Sequence, residues 1–123
     1  MTQIFANNAT STTTDNPLTS GATTTTLASG TGALFPSPIG GDYFAVTFTQ
    51  ATTETSWEIA WCTGRSGDVL TIVRGQEGTS AASWALGSKC EIRVTNAALF
   101  NLINNPIVAA GAPLEWNGAA VFP

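Results

Sequence analysis

The chain predicts a mainly β protein, a small antiparallel β-barrel or sandwich with an extended N-terminal arm, one short helix and an irregular C-terminal tail. Three observations carry that expectation. Apolar residues alternate with polar or small ones in several short runs, the period of two that marks a half-buried strand. Threonine, which is β-branched and favours extended backbone, dominates the first thirty residues. Glycine-bearing turns separate the runs, above all GRSGD at residues 64–68, whose glycines allow the positive backbone angles of a tight hairpin. At 123 residues the chain suits one domain with a single modest hydrophobic core.

Residues 1–30 read as an extended Thr/Ser-rich arm, with ATTTTLA at 22–28 as its one strand and Ile4, Phe5, Leu18 and Leu27 as anchors. The arm lacks the high charge of typical disordered segments. GTGALFPSPIGG at 30–41 supplies turn chemistry, with Leu34 and Phe35 placed to plug the end of a core. A compact β module is expected over residues 31–95. In DYFAVTFT the positions Phe44, Val46 and Phe48 share a face, and in WEIAWCT the alternation assigns Trp57, Ile59 and Trp61 inward. Strands at 57–63 and 69–74 should be antiparallel neighbours across GRSGD. Leu70, or its alternate-face neighbours Val69 and Val73, joins the predicted core with Ile92 and Val94 of the last strand. Residues 96–123 read as a short helix and a docking tail. Asn96 can cap the helix, Leu99, Phe100 and Ile103 share one side, and NNP stops it.

Composition narrows the function classes. The chain has 4 Lys+Arg against 8 Asp+Glu, no His and a net charge of -4, so it lacks the basic surface that contacts to nucleic-acid phosphates need. Only 10% of residues are charged while 43% are hydrophobic, a surface that can be buried against a neighbour without desolvating many charges. No apolar run approaches the ~20 residues needed to span a bilayer, and no basic amphipathic segment suggests membrane binding. MTQIFANNATSTTT has neither the charged start nor the apolar run of a secretory signal, which predicts a soluble protein made in a cytoplasm. Cys62 and Cys90 are too few for a disulfide framework or a zinc site and are expected as buried thiols.

The richest stretch chemically is IVRGQEGTSAASW, residues 72–84. Without His the common Ser- or Cys-nucleophile constellations are excluded. Paired acids such as Glu54 with Glu58, or Asp68 with Glu77, have no accompanying cleft signal, and are expected to solvate turns and outward strand faces. The acids are scattered singly, so neither metal nor cofactor is expected. RGQEG is not a phosphate-binding P-loop, and it lacks the positive charge that supports a GXXG nucleic-acid clamp. It is expected to be an architectural turn: Arg74 and Glu77 pair across it, and Gly75 and Gly78 supply the freedom to bring Trp84 back over the sheet. Four tryptophans raise a carbohydrate-binding alternative, against which the shared parity of Trp57, Ile59 and Trp61 argues for core. Phe5, Trp116 and Phe122 are the candidate partner contacts.

SGTGALFPSPIGGDYFAVTFT, followed by SWEIAWCTGRSGDVLTIVRGQEGTSAASWALGSKCEIRVT, resembles a module of tailed-bacteriophage virion proteins, often found at the start of tail fibres. There a GALFP turn precedes a strand, a TxRSGDxLTVVRGQEGT hairpin follows, and an aromatic, a Gly and a closing strand ending in Thr complete the pattern. The resemblance runs from residue 7 to about residue 96, and RSGDVLTIVRGQEGT at 65–79 is its most specific part. It implies a non-enzymatic virion protein, assembled in the host cytoplasm, without catalytic residues. The implied partners are phage capsid or tail proteins and further copies of the chain. A fibre would continue well past the module, whereas here a helix and the tail at 107–123 follow. The expected role is therefore a small subunit that decorates or cements the capsid, with arm and tail reaching across neighbours and the β module folding without them. The alternatives are a tail fibre-anchoring adaptor and a carbohydrate-binding adhesion module.

Overall fold

The computed structural model describes residues 2–104, 116–117 and 120–122. Two compact units divide the chain, Met1–Arg93 and Val94–Pro123. The first is built on an antiparallel sheet of β1 (Thr10–Thr12), β2 (Thr24–Thr26), β3 (Phe44–Thr49), β4 (Trp57–Ser66), β5 (Val69–Gln76) and β6 (Lys89–Glu91). The strand order is β1-β6-β3-β4-β5-β2 and the sheet curls into a half-barrel. The β4–β5 hairpin turns at Gly67, in the left-handed region at φ 61, and Asp68, as GRSGD predicts.

β3 lies inside the sheet and all of its residues are buried. Phe44, Val46 and Phe48 face the core, as their alternation predicts. On the other face Ala45, Thr47 and Thr49 are flanked in register by Trp61, Ile59 and Trp57 of β4, and Thr47 and Thr49 also by Glu91 and Lys89 of β6. Small residues between large ones are covered by their neighbours' side chains.

The orientation expected for β4 is reversed. Glu58, Ala60 and Cys62 point into the core, opposite Phe48, Val46 and Phe44, while Trp57, Ile59 and Trp61 face outward and Trp57 is 60% exposed. Volume is one cause: the core already holds Phe44, Phe48, Leu18 and Trp84, and small Ala60 and Cys62 interdigitate with the Phe rings at native density where indoles would overfill it. The inward carboxylate is the other, and its partners are described below. Of the alternatives on β5, Leu70 is buried, with Ile72, while Val69 and Val73 are exposed; of the two plug residues Phe35 is buried and Leu34 exposed; and Val94, expected in the core, is 82% exposed.

The residues expected to form an extended arm belong to the sheet. β1 pairs with β6 and β2 with β5, and Ala9, Leu18 and Leu27 lie in the core cluster. The two outer strands are joined to each other as well. Thr13 bridges Leu27, the Thr14 N–H donates to the Thr26 carbonyl at 2.8 Å, and the Ala28 N–H donates to the Thr12 carbonyl at 3.0 Å. Buried threonines here gather on one carboxylate: the Thr13 and Thr25 hydroxyls lie 2.8 Å apart and each within 2.9 and 2.7 Å of Asp15 Oδ2, which accepts from them. A Thr-rich stretch that looks too polar for a core is thus placed by its hydroxyl network together with three apolar anchors.

In the second unit α1 (Asn96–Asn104) is capped by Thr95 and not by Asn96, the Thr95 hydroxyl accepting the Ala98 N–H at 3.0 Å. Leu99, Phe100 and Ile103 are exposed along it. β7 (Trp116–Asn117) pairs with β8 (Ala120–Phe122), which brings Trp116 opposite Val121 and Phe122. The rest of the tail expected over residues 107–123 lies outside the described residues.

Candidate functional site

The most strongly polar point inside the sheet is Glu58, whose side chain is 0% exposed beside that of Arg74 at 8%. Arg74 grips the carboxylate with both ends of its fork, Nε to Oε2 at 2.7 Å and Nη2 to Oε1 at 2.8 Å. Three more donors converge on it: the Gly75 N–H at 2.9 Å, the Ala82 N–H at 3.0 Å and the Trp84 indole N–H at 2.9 Å. Burial pushes the Glu58 carboxyl up, but Arg74, Trp84 and the two backbone donors outweigh it and hold the group below its ordinary range. Arg74 in turn donates to the carbonyls of Thr19, Ala22 and Ala82 at 2.6, 3.3 and 2.5 Å. One ion pair therefore ties β4, β5, the 19–22 segment and the segment ahead of Trp84 together. The expected pairing of Arg74 with Glu77 does not form, because Glu58 offers Arg74 a bidentate, desolvated partner that a turn residue cannot match.

Glu77 instead accepts the Trp61 indole N–H at 3.0 Å. The turn around it is conformationally demanding, with Gly75 at φ 60, Glu77 at φ 55 and Gly78 at φ 83. A Cβ on Gly75 would sit 3.1 Å from the Ala81 nitrogen and 3.3 Å from the Thr79 oxygen, while one on Gly78 would meet nothing within 4 Å. Gly75→Ala should therefore cost ~1–3 kcal/mol and Gly78→Ala about 1 kcal/mol, from backbone strain alone in the second case. Glu77→Gln, which keeps an acceptor for Trp61, should fall within ~0.5 kcal/mol. Urea melts of the three variants check the order; a Glu77→Gln loss larger than that of Gly75→Ala would give the loop a role beyond its geometry.

Asp68 joins the two most recognisable motifs. Its carboxylate accepts the N–H groups of Gly30 at 3.0 Å and Gly32 at 2.8 Å, which hold it below the ordinary carboxylate range. Gly32 begins the GALFP turn and packs so closely on the hairpin that a Cβ there would lie 2.0 Å from the Gly67 oxygen. Glu54, weighed with Glu58 as a possible acid pair and expected to solvate a turn, lies with the charges on and just after β6: Lys89 and Arg93 donate to it at 2.7 and 2.8 Å and lower its pKa, and Arg93 also bonds Glu91. The two thiols are free and buried, and burial pushes Cys62 up to about 11 and Cys90 higher still.

The outward face of β4 carries exposed aromatic surface. Tyr43 packs on Trp61 with ring centroids 4.5 Å apart and planes tilted by 36°, and Trp57, four residues earlier on the same face of β4, is open to water. Among the expected partner contacts, Phe5 is exposed next to Ile4, which packs on the core. Trp116 and Phe122 lie on β7 and β8, and their side chains lie outside the described residues. No protein-family model matches the chain, and no curated protein matches it. Glu58, Arg74 and Asp68 all make their hydrogen bonds inside the fold.

Proposed function

We propose that the chain is a bacteriophage virion structural protein without enzymatic activity, made in the host cytoplasm, a small accessory subunit that decorates or cements the capsid by binding neighbouring virion subunits. The observation that carries this reading is the meeting of the two motifs of the tailed-phage module: Asp68 of RSGD holds Gly30 and Gly32 of GTGALFP, while Arg74 and Gly75 of RGQEG close on Glu58. Residues that distinguish the motif are engaged in rigidity, which an assembly subunit needs and a hydrolytic site does not. The sparse charge supports the same reading, since few ions have to be desolvated on docking. Within it the fold is a small barrel, its two outer strands joined at Thr13 and Leu27. A fibre-anchoring adaptor shares the frame and differs in its place on the particle. Exposed Trp57 favours a second reading, carbohydrate binding in host adhesion, because sugar rings stack on open aromatic faces.

The test is localisation on purified particles of the phage that encodes the chain, carried out with an epitope-tagged copy and electron microscopy. Regular labelling over the capsid is the expected result. Labelling confined to the tail selects the adaptor, and absence from particles overturns the virion reading. Because Met1–Arg93 is a compact unit by itself, deletion of residues 107–123 should leave the module's melting transition in place and lower occupancy on the particle. Equal occupancy would move the attachment from Trp116 and Phe122 to the sheet.

A further inference from the structure

We propose that the chain up to Phe35 is an exchangeable element, which two copies trade so that each completes the other's sheet through the contacts that complete its own. The element is stitched to itself. Thr13 bridges Leu27, the Thr14 N–H donates to the Thr26 carbonyl and the Ala28 N–H to the Thr12 carbonyl. Thr13 and Thr25 share the Asp15 carboxylate, and the Ser11 and Thr31 hydroxyls lie 2.5 Å apart. Its contacts with the body all reach across the linker at residues 36–41. β1 pairs with β6 and β2 with β5, Leu18 and Trp84 exchange two backbone bonds at 2.9 Å, and the Phe35 ring lies 5.9 Å from that of Phe44.

The linker is built to open. Ser37, Ile39, Gly40 and Gly41 are exposed, and the linker's own backbone bond is local, Asp42 N–H to the Ile39 carbonyl at 2.9 Å. Pro36 and Pro38 fix their own φ and bias the residues before them toward extended backbone, and Phe35 lies there, at φ -100 and ψ 148. The reversal rests on Gly40 and Gly41, at φ 57 and 91. With those two straightened, residues 36–41 span ~20 Å, a reach that sets the element on a neighbouring body.

The acceptor selects a second copy. The gap between β6 and β5 fits this element residue by residue, and every contact made between copies is one that a single chain already makes. The surface traded is interior: Ala9, Leu18, Leu27 and Phe35 are each at most 3% exposed. Charge interferes little, because Asp15 is the element's one charged side chain and the element's own threonines hold it. Exchange competes with closure on the chain's own body, whose effective concentration through a short linker is on the order of 1 mM. A traded pair reverts only by unfolding, so the outcome is set when the chain folds. This property belongs to the chain and goes beyond the virion reading, which its test leaves where it stands because no particle is involved.

The full chain is unfolded in urea and refolded by dilution at roughly 10 μM or 1 mM, which bracket that effective concentration from below and at its level. Sedimentation should find the 12.7 kDa monomer at the lower concentration and a large share of twice that mass at the higher, and this dimer should persist when diluted. Gly40→Ala with Gly41→Ala adds Cβ atoms that meet nothing within 4 Å but penalises both positive angles, so it should lower the concentration needed by about tenfold or more. Gly-Ser-Gly-Ser inserted between them should raise it. Thr24 of β2 faces Thr71 of β5. Thr24→Cys chains refolded together with Thr71→Cys chains at the higher concentration should therefore oxidise to a disulfide-linked dimer, whereas the same chains mixed after folding should not. A parent that refolds wholly to monomer at the higher concentration, a dimer that falls apart on dilution, or a refolded mixture linked no more than the folded one overturns the proposal.

Discussion

Arg74→Met should cost roughly 3–5 kcal/mol at neutral pH, because it strands the Glu58 carboxylate in the core without its counter-ion. The loss is larger than one contact suggests. Met removes both donors of the fork and also leaves the carbonyls of Thr19, Ala22 and Ala82 without the guanidinium. The pH dependence separates this cause from simple loss of packing. The Glu58 pKa is lowered in the folded protein from its ordinary 4.5, so its contribution is complete above that value. It is lost as pH falls through the folded pKa, the unfolded chain binding the proton first. Without Arg74 the carboxyl takes up its proton more readily, and the penalty for the stranded charge fades in acid. The stability gap between parent and variant, read by urea unfolding at pH 7 and again near pH 3.5, should narrow on acidification. A gap under ~1 kcal/mol at pH 7, or one that does not change with pH, would mean that the ion pair does not hold the sheet.

Gly32→Ala is the second severe change. Its Cβ would fall 2.0 Å from the Gly67 oxygen and 2.8 Å from the Asp68 Cα, both backbone atoms that no rotamer can move aside. Relief requires the 30–35 turn to lift off the hairpin, which breaks both Asp68 bonds and draws Phe35 from the end of the core. About 3 kcal/mol or more is the expected cost, in the range reserved for overpacking and lost buried bonds. Gly21→Ala, whose Cβ meets nothing within 4 Å, is the matched control. Equal melting temperatures for the two variants would show that the turn and the hairpin are not locked together.

These two sites show what could be read from the sequence and what could not. The GRSGD hairpin and the alternation of Phe44, Val46 and Phe48 depend on nearby residues and were legible. The inward face of β4 was not, because Glu58 becomes a core residue only through Arg74, 16 positions later, and hydrophobicity alone favours its tryptophan neighbours. One signal did point the right way. Cys62 reads as a buried thiol, and its parity is that of Ala60 and Glu58, opposite to Trp61; the two expectations were incompatible and the cysteine was the better guide. The need for positive φ at Gly75 and Gly78 was legible from glycine itself, yet the partner of Arg74 was missed for the same reason of distance. The Thr-rich start was misleading because polarity suggested an extended arm apart from the β module, whereas its hydroxyls find the Asp15 carboxylate once Thr13, Thr25 and Asp15 meet.

The way those first residues are built into the sheet has a consequence for synthesis. β1 finds its partner in β6, with Thr10 bonded to Glu91 across 81 positions, and β2 waits for β5. β1 and β2 are therefore made well before the strands that seat them. Until β6 emerges, Leu18 and Leu27 have no complete core to enter and the nascent chain offers unpaired backbone to whatever surrounds it. Folding of Met1–Arg93 as one unit therefore waits until β6 has been made, and through that interval the stretch at residues 1–14, which holds no Asp, Glu, Lys or Arg, has only its own polar groups to keep it in water.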